Sequence, residues 1–395
     1  MIQQLNIHKL RNLGQAELTL ARCNLIIGAN GSGKTSLLEA VFLLSRGKSF
    51  RHHEPRRYIR HHESDCTIWA KTFGDPSNTL AIQKKLDTQG KSDTLLRFNG
   101  QTAASQSVLS FQLPTLLIDP VGMSLLDEGS GTRRQLLDWL VFHMKPEFYQ
   151  QWLQYQRLLK QRNSLLKQPS IQHRLNELLA WDGQLSYFAH ALHEHRQEIF
   201  LAWETHFQQM LGLLLPEYQH SLSLQYVAGF DTKNPLIDTL RSRIDQDIEL
   251  GYTRIGAHRA DVSVLFKSTN DQGQKIREQA THILSRGEKK LLITALKLSQ
   301  LQLICNAISH SNSDATFPVV LIDDIDAELD NAAMQILLQT ALSLPCQLII
   351  TSLTTDTHHK ILDILKHLPS HNTSEQAAYH MFHVEQGQFL PMHQL

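Results

Sequence analysis

Eight consecutive residues constrain this chain more than any other stretch. Gly28-Ala29-Asn30-Gly31-Ser32-Gly33-Lys34-Thr35 fits the pattern G-x-x-x-x-G-K-[ST] at every fixed position. Each residue type there has a job. Glycines let the backbone curl so that successive N–H groups point into one concavity that holds anionic oxygens. Lys34 can reach the terminal phosphates of a nucleotide, and the Thr35 hydroxyl can ligate Mg²⁺. The flanks agree with a strand-turn-helix. Leu25-Ile26-Ile27 reads as a short buried strand, and Leu37, Leu38, Ala40, Val41 and Leu44 as the apolar side of a helix. That helix aims its positive N-terminal dipole at the bound anion. Residues 28–36, ending in Ser36, are therefore the expected phosphate contacts, and ATP with Mg²⁺ the expected ligand.

A second stretch completes that chemistry. Pro318-Val319-Val320-Leu321-Ile322-Asp323-Asp324 is an apolar run ending in two carboxylates. A parallel strand buried on both faces has this composition, and ligands collect at the carboxyl ends of such strands. Asp323 is the expected metal ligand beside Thr35. Asp324 is the expected catalytic partner of Lys34, polarising the water that attacks the γ-phosphate. Adjacent acids at this point can also cap the next helix. A third stretch, Leu284-Ser285-Arg286-Gly287-Glu288, precedes a helical apolar pattern, with Ser285 as N-cap and Glu288 closing a capping box.

With 395 residues the chain exceeds one hydrophobic core, so two or three domains are expected. Residues 1–120 read as an α/β head with the phosphate loop and a flanking antiparallel sheet over about 65–118. Residues 121–250 read as a mainly helical arm, and 251–395 as the second half of the head. In the arm, apolar faces built on Phe148–Leu166, Leu178–Leu192 and Ile199–Leu214 suggest three helical stretches, with Pro169 and Ser170 breaking the first from the second. The aromatic residues of these faces fit arm core or, less simply, base stacking. Basic and acidic residues number 38 each, so nucleic-acid binding needs a local patch. The densest basic stretch holds Arg46, Lys48, Arg51, Arg56, Arg57 and Arg60, which suits either a DNA surface or a solvated loop. Arg157, Lys160, Arg162 and Lys167 on the arm are a second candidate. Four cysteines with no C-x-x-C pair give no zinc signature. The first residues lack the pattern of a secretory leader, and no membrane-spanning apolar run is apparent, so a cytoplasmic protein is expected.

Together the three motifs resemble those of ABC-type ATPases, and details extend the resemblance to the RecF family of bacterial recombination mediators. It runs nearly end to end: Gly28–Glu39, Gly47-Lys48-Ser49-Phe50-Arg51, Phe98-Asn99-Gly100, Gly129–Asp138, Gly256-Ala257-His258-Arg259-Ala260-Asp261, Leu284–Glu288, Asp323–Asp330 and Met381–Glu385. Glu288 stands where a Gln is usual, Gly131 where a Pro is common, Thr351 where many ABC ATPases have a His, and Ile118-Asp119-Pro120-Val121-Gly122 lacks the acid that usually follows the Pro. The resemblance implies a P-loop ABC-type head with an inserted helical arm. It implies that Ser285, Arg286, Gly287 and Glu288 close over ATP held by a second copy, so that ATP is sandwiched in a homodimer. It implies slow hydrolysis and ATP-dependent binding to double-stranded and gapped DNA. It further implies work with RecR and RecO to load RecA where SSB coats single strands, in recombinational repair and the SOS response. Two other readings stay open: the ATPase subunit of a different ABC-type system, against which the helical arm argues, and an ATP-binding scaffold that does not hydrolyse, against which Asp324 argues.

Overall fold

The computed structural model describes residues 1–119, 126, 129–269, 275–310, 316–367 and 379–392. It opens with an antiparallel pair, β1 (Ile2–Leu10) and β2 (Leu13–Thr19), followed by β3 (Cys23–Ile27). β4 (Asp65–Thr72), β5 (Thr79–Leu86), β6 (Ser92–Phe98) and β7 (Gln101–Thr102) extend that pair into an antiparallel sheet of order β2-β1-β4-β5-β6-β7. Strict alternation explains one buried face: Cys66, Ile68 and Ala70 of β4 and Leu80 and Ile82 of β5 are wholly buried. The turn at Asn99-Gly100 has φ of 49° and 76°, the left-handed pair that a two-residue hairpin loop requires.

The continuous apolar runs make the other sheet. β3 joins β8 (Thr115–Ile118), β12 (Val319–Ile322), β13 (Gln347–Ser352), β14 (Tyr379–Glu385) and β15 (Gln388–Met392) in the order β15-β14-β3-β13-β12-β8. All its pairings are parallel except that of β14 with β15. Every residue of β3, β12 and β13 is buried, as strands covered on both faces must be. The helix after the phosphate loop, α1 (Lys34–Arg46), shares one core cluster with both sheets, including Leu5, Ile68, Ile82, Ile26, Leu321 and Ile349. It is buried nearly all round, so even Glu39 and Ser45 lie inside.

By compactness the chain forms two units, residues 1–122 with 305–395, and residues 123–304. The boundary expected near residue 250 therefore differs from the structure, which keeps 251–304 with the arm. The reason is strand pairing: β10 (Asp261–Thr269) lies between β9 (Leu222–Val227) and β11 (Lys275–Gln279) in an antiparallel sheet of the second unit. Two of the three expected arm helices are also one. After Phe148–Leu166, a single helix runs from Leu175 to Leu214, 40 residues and about 60 Å long at 1.5 Å per residue. The polar segment between Leu192 and Ile199 contains no Pro or Gly to break it.

The second unit is pinned by buried ion pairs. Arg162 is fully buried and donates to Asp182, Asp247 and Thr253, each at 2.7 Å. Arg196 donates to Asp138 at 2.7 and 3.0 Å and to the Ala257 carbonyl at 2.8 Å. Arg162 is thus withdrawn from the second DNA candidate, because its guanidinium is spent inside. The aromatic residues Tyr155, Trp203 and Phe207 are core, and the Trp203 indole N–H donates to Ser299 Oγ at 2.8 Å. Among the described residues, one helix, Arg286–His310, is long and apolar enough to cross a membrane by length and composition, which differs from the sequence expectation. Two thirds of its most apolar window is buried, with Leu292, Ala295, Leu296, Leu298 and Leu301 in the interior.

Candidate nucleotide site

The phosphate loop leaves β3 at the carboxyl edge of the parallel sheet. Two of its glycines have identifiable reasons. A Cβ on Gly28 would lie 2.4 Å from the Val384 carbonyl oxygen on the neighbouring strand β14, so only Gly fits there. Gly33 has φ of 123°, outside the range of ordinary side chains, at the point where the loop turns into α1. Asn12 braces the loop from outside, donating through Nδ2 to the Gly31 carbonyl (3.0 Å) and accepting from Ser36 Oγ (2.9 Å). Lys34 lies within the loop concavity, its Nζ donating to the carbonyls of Gly28 (2.8 Å) and Ala29 (3.3 Å).

β13 separates β3 from β12, and the tips of these three strands bring the remaining groups together. Thr35 Oγ1 donates to Asp323 Oδ1 at 3.0 Å, and Thr351 Oγ1 donates to the same oxygen at 2.9 Å. Burial pushes the Asp323 carboxyl up; hydrogen bonds from Thr351 and Thr35 oppose this, and the neighbouring Asp324 charge adds to it. Asp324 stands at φ 44°, in the left-handed region. Its N–H donates to Thr351 Oγ1 at 2.7 Å, which holds the residue there. Although Asp324 occupies the N-cap position of the short helix Ile325–Glu328, its side chain makes no capping bond. Its carboxylate instead lies 3.7 Å from Lys34 Nζ. Of the two readings open from sequence, the structure thus favours the one facing the phosphate loop. Asp326 is tied into its own unit, accepting from Leu353 N (2.8 Å) and Thr357 Oγ1 (2.6 Å), and Asp330 caps the following helix at Ala333 N (2.8 Å).

These residues fit MgATP on three counts. The loop packs so closely that a Cβ at Gly28 would meet Ser32 Oγ at 2.8 Å as well as the Val384 carbonyl. Among the described residues, Ser32 Oγ and Asp324 Oδ1 are buried polar atoms without a hydrogen-bond partner. The donor set for a metal is oxygen only, a hydroxyl and a carboxylate, which suits Mg²⁺.

The walls hold a surprise for the basic stretch. A cavity of about 600 Å³ includes Lys34, Thr35 and Asp324 and is also lined by Arg51, Arg56, Arg57 and Arg60, with His61 and His62. Four of the six residues expected at a DNA surface therefore face the nucleotide cavity. Arg46 turns inward, donating to the Thr115 carbonyl at 3.1 Å, and burial lowers its pKa to about 10. Lys48 is exposed. The six do not share one orientation, because the segment after α1 folds back beside β1; Arg51, Arg56, Arg57 and Arg60 line the cavity and are also exposed to solvent. Arg11 N donates to the Tyr58 carbonyl (2.8 Å) and Arg60 N to the Lys9 carbonyl (2.9 Å). Among the described residues, six non-glycines have left-handed backbone, and three of them, Arg11, His62 and Asp324, line this cavity. Strain of this kind collects at functional sites.

Ser285–Glu288 belong to the other unit, where the expected capping box forms. Ser285 N donates to Glu288 Oε2 at 2.7 Å, and Glu288 N to Ser285 Oγ at 3.4 Å. Tyr218 donates to the second Glu288 oxygen at 2.8 Å, using the acceptor that a Gln would lack. These hydrogen bonds hold the Glu288 carboxyl below its usual range. Ser285, Arg286 and Gly287 are exposed. The Gly256–Asp261 segment is structural in this unit. A Cβ on Gly256 would lie 2.5 Å from Tyr155 Oη, Tyr155 meets His258 Nδ1 at 2.7 Å, and Arg133 grips Asp261 at 2.7 and 3.0 Å. Arg134 donates to the Ala260 carbonyl at 2.9 Å. Pro120–Gly122, where the acid that usually follows the Pro is missing, lie outside the described residues. Sequence reasoning missed Arg11, Asn12, Glu39 and Ser49. The one signal for them was Glu39 itself, a carboxylate amid the apolar residues of α1.

Comparison with known proteins agrees with this geometry. Residues 1–376 match the family described as RecF/RecN/SMC N terminal domain. The DNA replication and repair protein RecF of Acinetobacter baumannii is 40% identical over 390 residues, covering 98% of each chain. The RecF of Marinomonas sp. is 37% identical over 356 residues, covering 90% of each. Among solved structures, the recombination mediator protein RecF in its ATP form superimposes with a TM-score of 0.78 at 22% identity, over 99% of each chain. An Smc head domain from Pyrococcus furiosus gives 0.52 at 14% identity, over 99% of this chain and 96% of that one. An α/β head with the ABC-type ATPase fold, a phosphate loop and an inserted helical arm, matched along nearly its whole length by these relatives, places the chain in the RecF family of DNA replication and repair proteins.

Proposed function

We propose that the chain is an ATP-dependent DNA-binding clamp of recombinational repair, closed by ATP sandwiched between two copies. The observation that carries this is the meeting of Lys34, Thr35, Asp323, Asp324 and Thr351 at the carboxyl edge of one parallel sheet. Lys34 neutralises the terminal phosphates, and the N–H groups of residues 28–34 hold their oxygens. Thr35 and Asp323 hold Mg²⁺, which supplies charge neutralisation at the phosphates. Asp324 orients the attacking water and draws on its proton. The left-handed backbone and the Thr351 bond fix that carboxylate before the ligand arrives. The exposed Ser285, Arg286 and Gly287, with Glu288 bracing the helix start, form the surface that closes over the nucleotide of the second copy. Arg51, Arg56, Arg57 and Arg60 then serve the nucleotide in this reading, and DNA contacts lie elsewhere.

Family membership supports the wider role: binding of duplex and gapped DNA, action with RecR and RecO in loading RecA onto strands coated with SSB, a part in the SOS response and a cytoplasmic location. The solved RecF structures named with ATP and with the RecFOR pathway support the same role. Sedimentation without nucleotide, with ADP and with ATP, each with and without gapped duplex, tests the clamp. ATP-only dimerisation strengthened by gapped DNA is expected. A monomer indifferent to ATP and DNA would overturn it.

A further inference from the structure

The basic segment that lines the cavity is braced from within by a short turn, where Glu54 accepts from Arg56 Nε (2.9 Å) and Arg57 Nε (3.4 Å), and from without by α1. Its two ends converge on one side chain. Glu39 sits on α1 five residues beyond Lys34, and its side chain is completely buried. Glu39 Oε2 accepts from Arg11 Nε and Oε1 from Arg11 Nη2, both at 2.8 Å, a two-pronged pair. Oε1 also accepts from Ser49 Oγ. Ser49 Oγ in turn accepts from the N–H groups of Arg51 and His52, both at 3.0 Å, which fixes the start of the segment. The remaining prong of Arg11, Nη1, donates to the Arg57 carbonyl, which fixes its far half.

We propose that Glu39 is a positioning residue for ATP binding: through Ser49 and Arg11 it sets Arg51 and Arg57 against the cavity that holds the phosphate loop. This rests on the reading that MgATP binds there. Three features make the link more than a buried ion pair. Glu39 and Lys34 stand on one rigid helix, so the arginines are referenced to the phosphate-loop lysine and not to a mobile neighbour. Both oxygens are used, so no acceptor remains to soften the arrangement. Arg11 carries left-handed backbone, with φ of 54°, at the point where its side chain enters the network. A long, flexible arginine gains more affinity for an anion when part of its ordering is already complete. The network supplies part of that ordering by fixing the main chain at Arg51 and Arg57 from behind the cavity wall.

The test is a binding cycle on the full chain with MgATP as probe, read by titration calorimetry. Ser49→Ala removes one hydroxyl, and Arg51→Ala with Arg57→Ala removes the two cations. Ser49→Ala is expected to raise the Kd roughly tenfold, the scale of effect for a charge displaced by a fraction of an ångström to an ångström. In the protein already lacking Arg51 and Arg57 the same change should add nothing, because its route to the ligand is gone. Glu39→Gln should behave like Ser49→Ala and raise KM with kcat retained. Should Glu39→Gln fail to fold, the Ser49→Ala cycle decides alone. An unaltered Kd in Ser49→Ala, or a tenfold loss that persists without the arginines, overturns the proposal. Failure of the unaltered protein to bind MgATP would instead overturn the function proposed above, and this inference with it.

Discussion

Thr351→Val removes one hydroxyl and keeps the shape, at a position that is completely buried. That hydroxyl has two partners, donating to Asp323 Oδ1 at 2.9 Å and accepting from Asp324 N at 2.7 Å. Losing a bond to a charged group and one to a backbone N–H costs about 2–4 kcal/mol. Part of this is recovered because Asp324, at φ 44°, can then leave a left-handed conformation worth about 1–2 kcal/mol of strain. The net loss should be about 2 kcal/mol. In a unit of about 210 residues this lowers Tm by roughly 4–8 °C. The consequence for chemistry is larger. Released from Thr351, Asp324 no longer presents its carboxylate 3.7 Å from Lys34 Nζ. Asp323 also loses a bond that opposes the upward push of burial on its carboxyl, which weakens it as a metal ligand. ATP turnover should fall at least about tenfold, a loss of 1.4 kcal/mol in transition-state stabilisation, with ATP Kd within about threefold of the parent. Calorimetric unfolding together with steady-state phosphate release measures both. Unchanged Tm and unchanged kcat would refute the view that Thr351 holds the two acids in place.

The two ends of the phosphate loop should respond differently to alanine. Gly28→Ala drives a Cβ to 2.4 Å from the Val384 carbonyl and should cost about 1–3 kcal/mol along with ATP binding, whereas Gly31→Ala, at φ 79° with open space around it, should cost only about 1–2 kcal/mol of backbone strain; equal loss of ATP affinity in the two would contradict the steric argument. His258 ties its stability contribution to pH. Burial, abetted by nearby arginines, lowers its pKa to about 4, while Nε2 donates to the Thr253 carbonyl at 3.0 Å. Held neutral in the fold but protonated near 6.5 when unfolded, it contributes stability that is fully present above pH 6.5 and is lost as pH falls towards 4. The loss reaches up to about 3 kcal/mol. His258→Gln should flatten the Tm-against-pH curve in that window, and an unaltered slope would exclude His258 as its source. Ser285→Arg should leave ATP binding intact and block ATP-dependent dimerisation; sedimentation showing a normal ATP dimer would remove Ser285 from the closing surface.

The phosphate loop, the buried β12 run and the capping box were legible because each is decided within about ten residues. Gly28 to Thr35 carries its own strand and helix, and Ser285 with Glu288 closes its bonds three residues apart. The destination of Arg51 to Arg60 was not legible for the opposite reason. It depends on β1 lying beside that segment and on Arg11 reaching across 46 residues to the Arg57 carbonyl. Charge density in sequence says that arginines are near one another, but not whether they face solvent or a cavity. The same limit hid Arg162, whose three acceptors lie 20, 85 and 91 residues away.

The position of Thr351 shows how a departure from the pattern of many ABC ATPases can be misread from sequence. Read along the chain, it stands where a histidine is common in related ATPases, and so suggests a missing function. Across the sheet, β13 is the strand between the one that ends at the phosphate loop and the one that ends at Asp323. A side chain at its tip must meet whatever the two neighbouring tips present. A hydroxyl can donate to a carboxylate and accept from a backbone N–H at once, and a wholly buried site next to two acids rewards both bonds. A neutral imidazole could supply one donor and one acceptor too, but from two nitrogens on opposite sides of its ring, whereas the hydroxyl does both from one atom. At this position the chain holds Asp323 and Asp324 together through one hydroxyl.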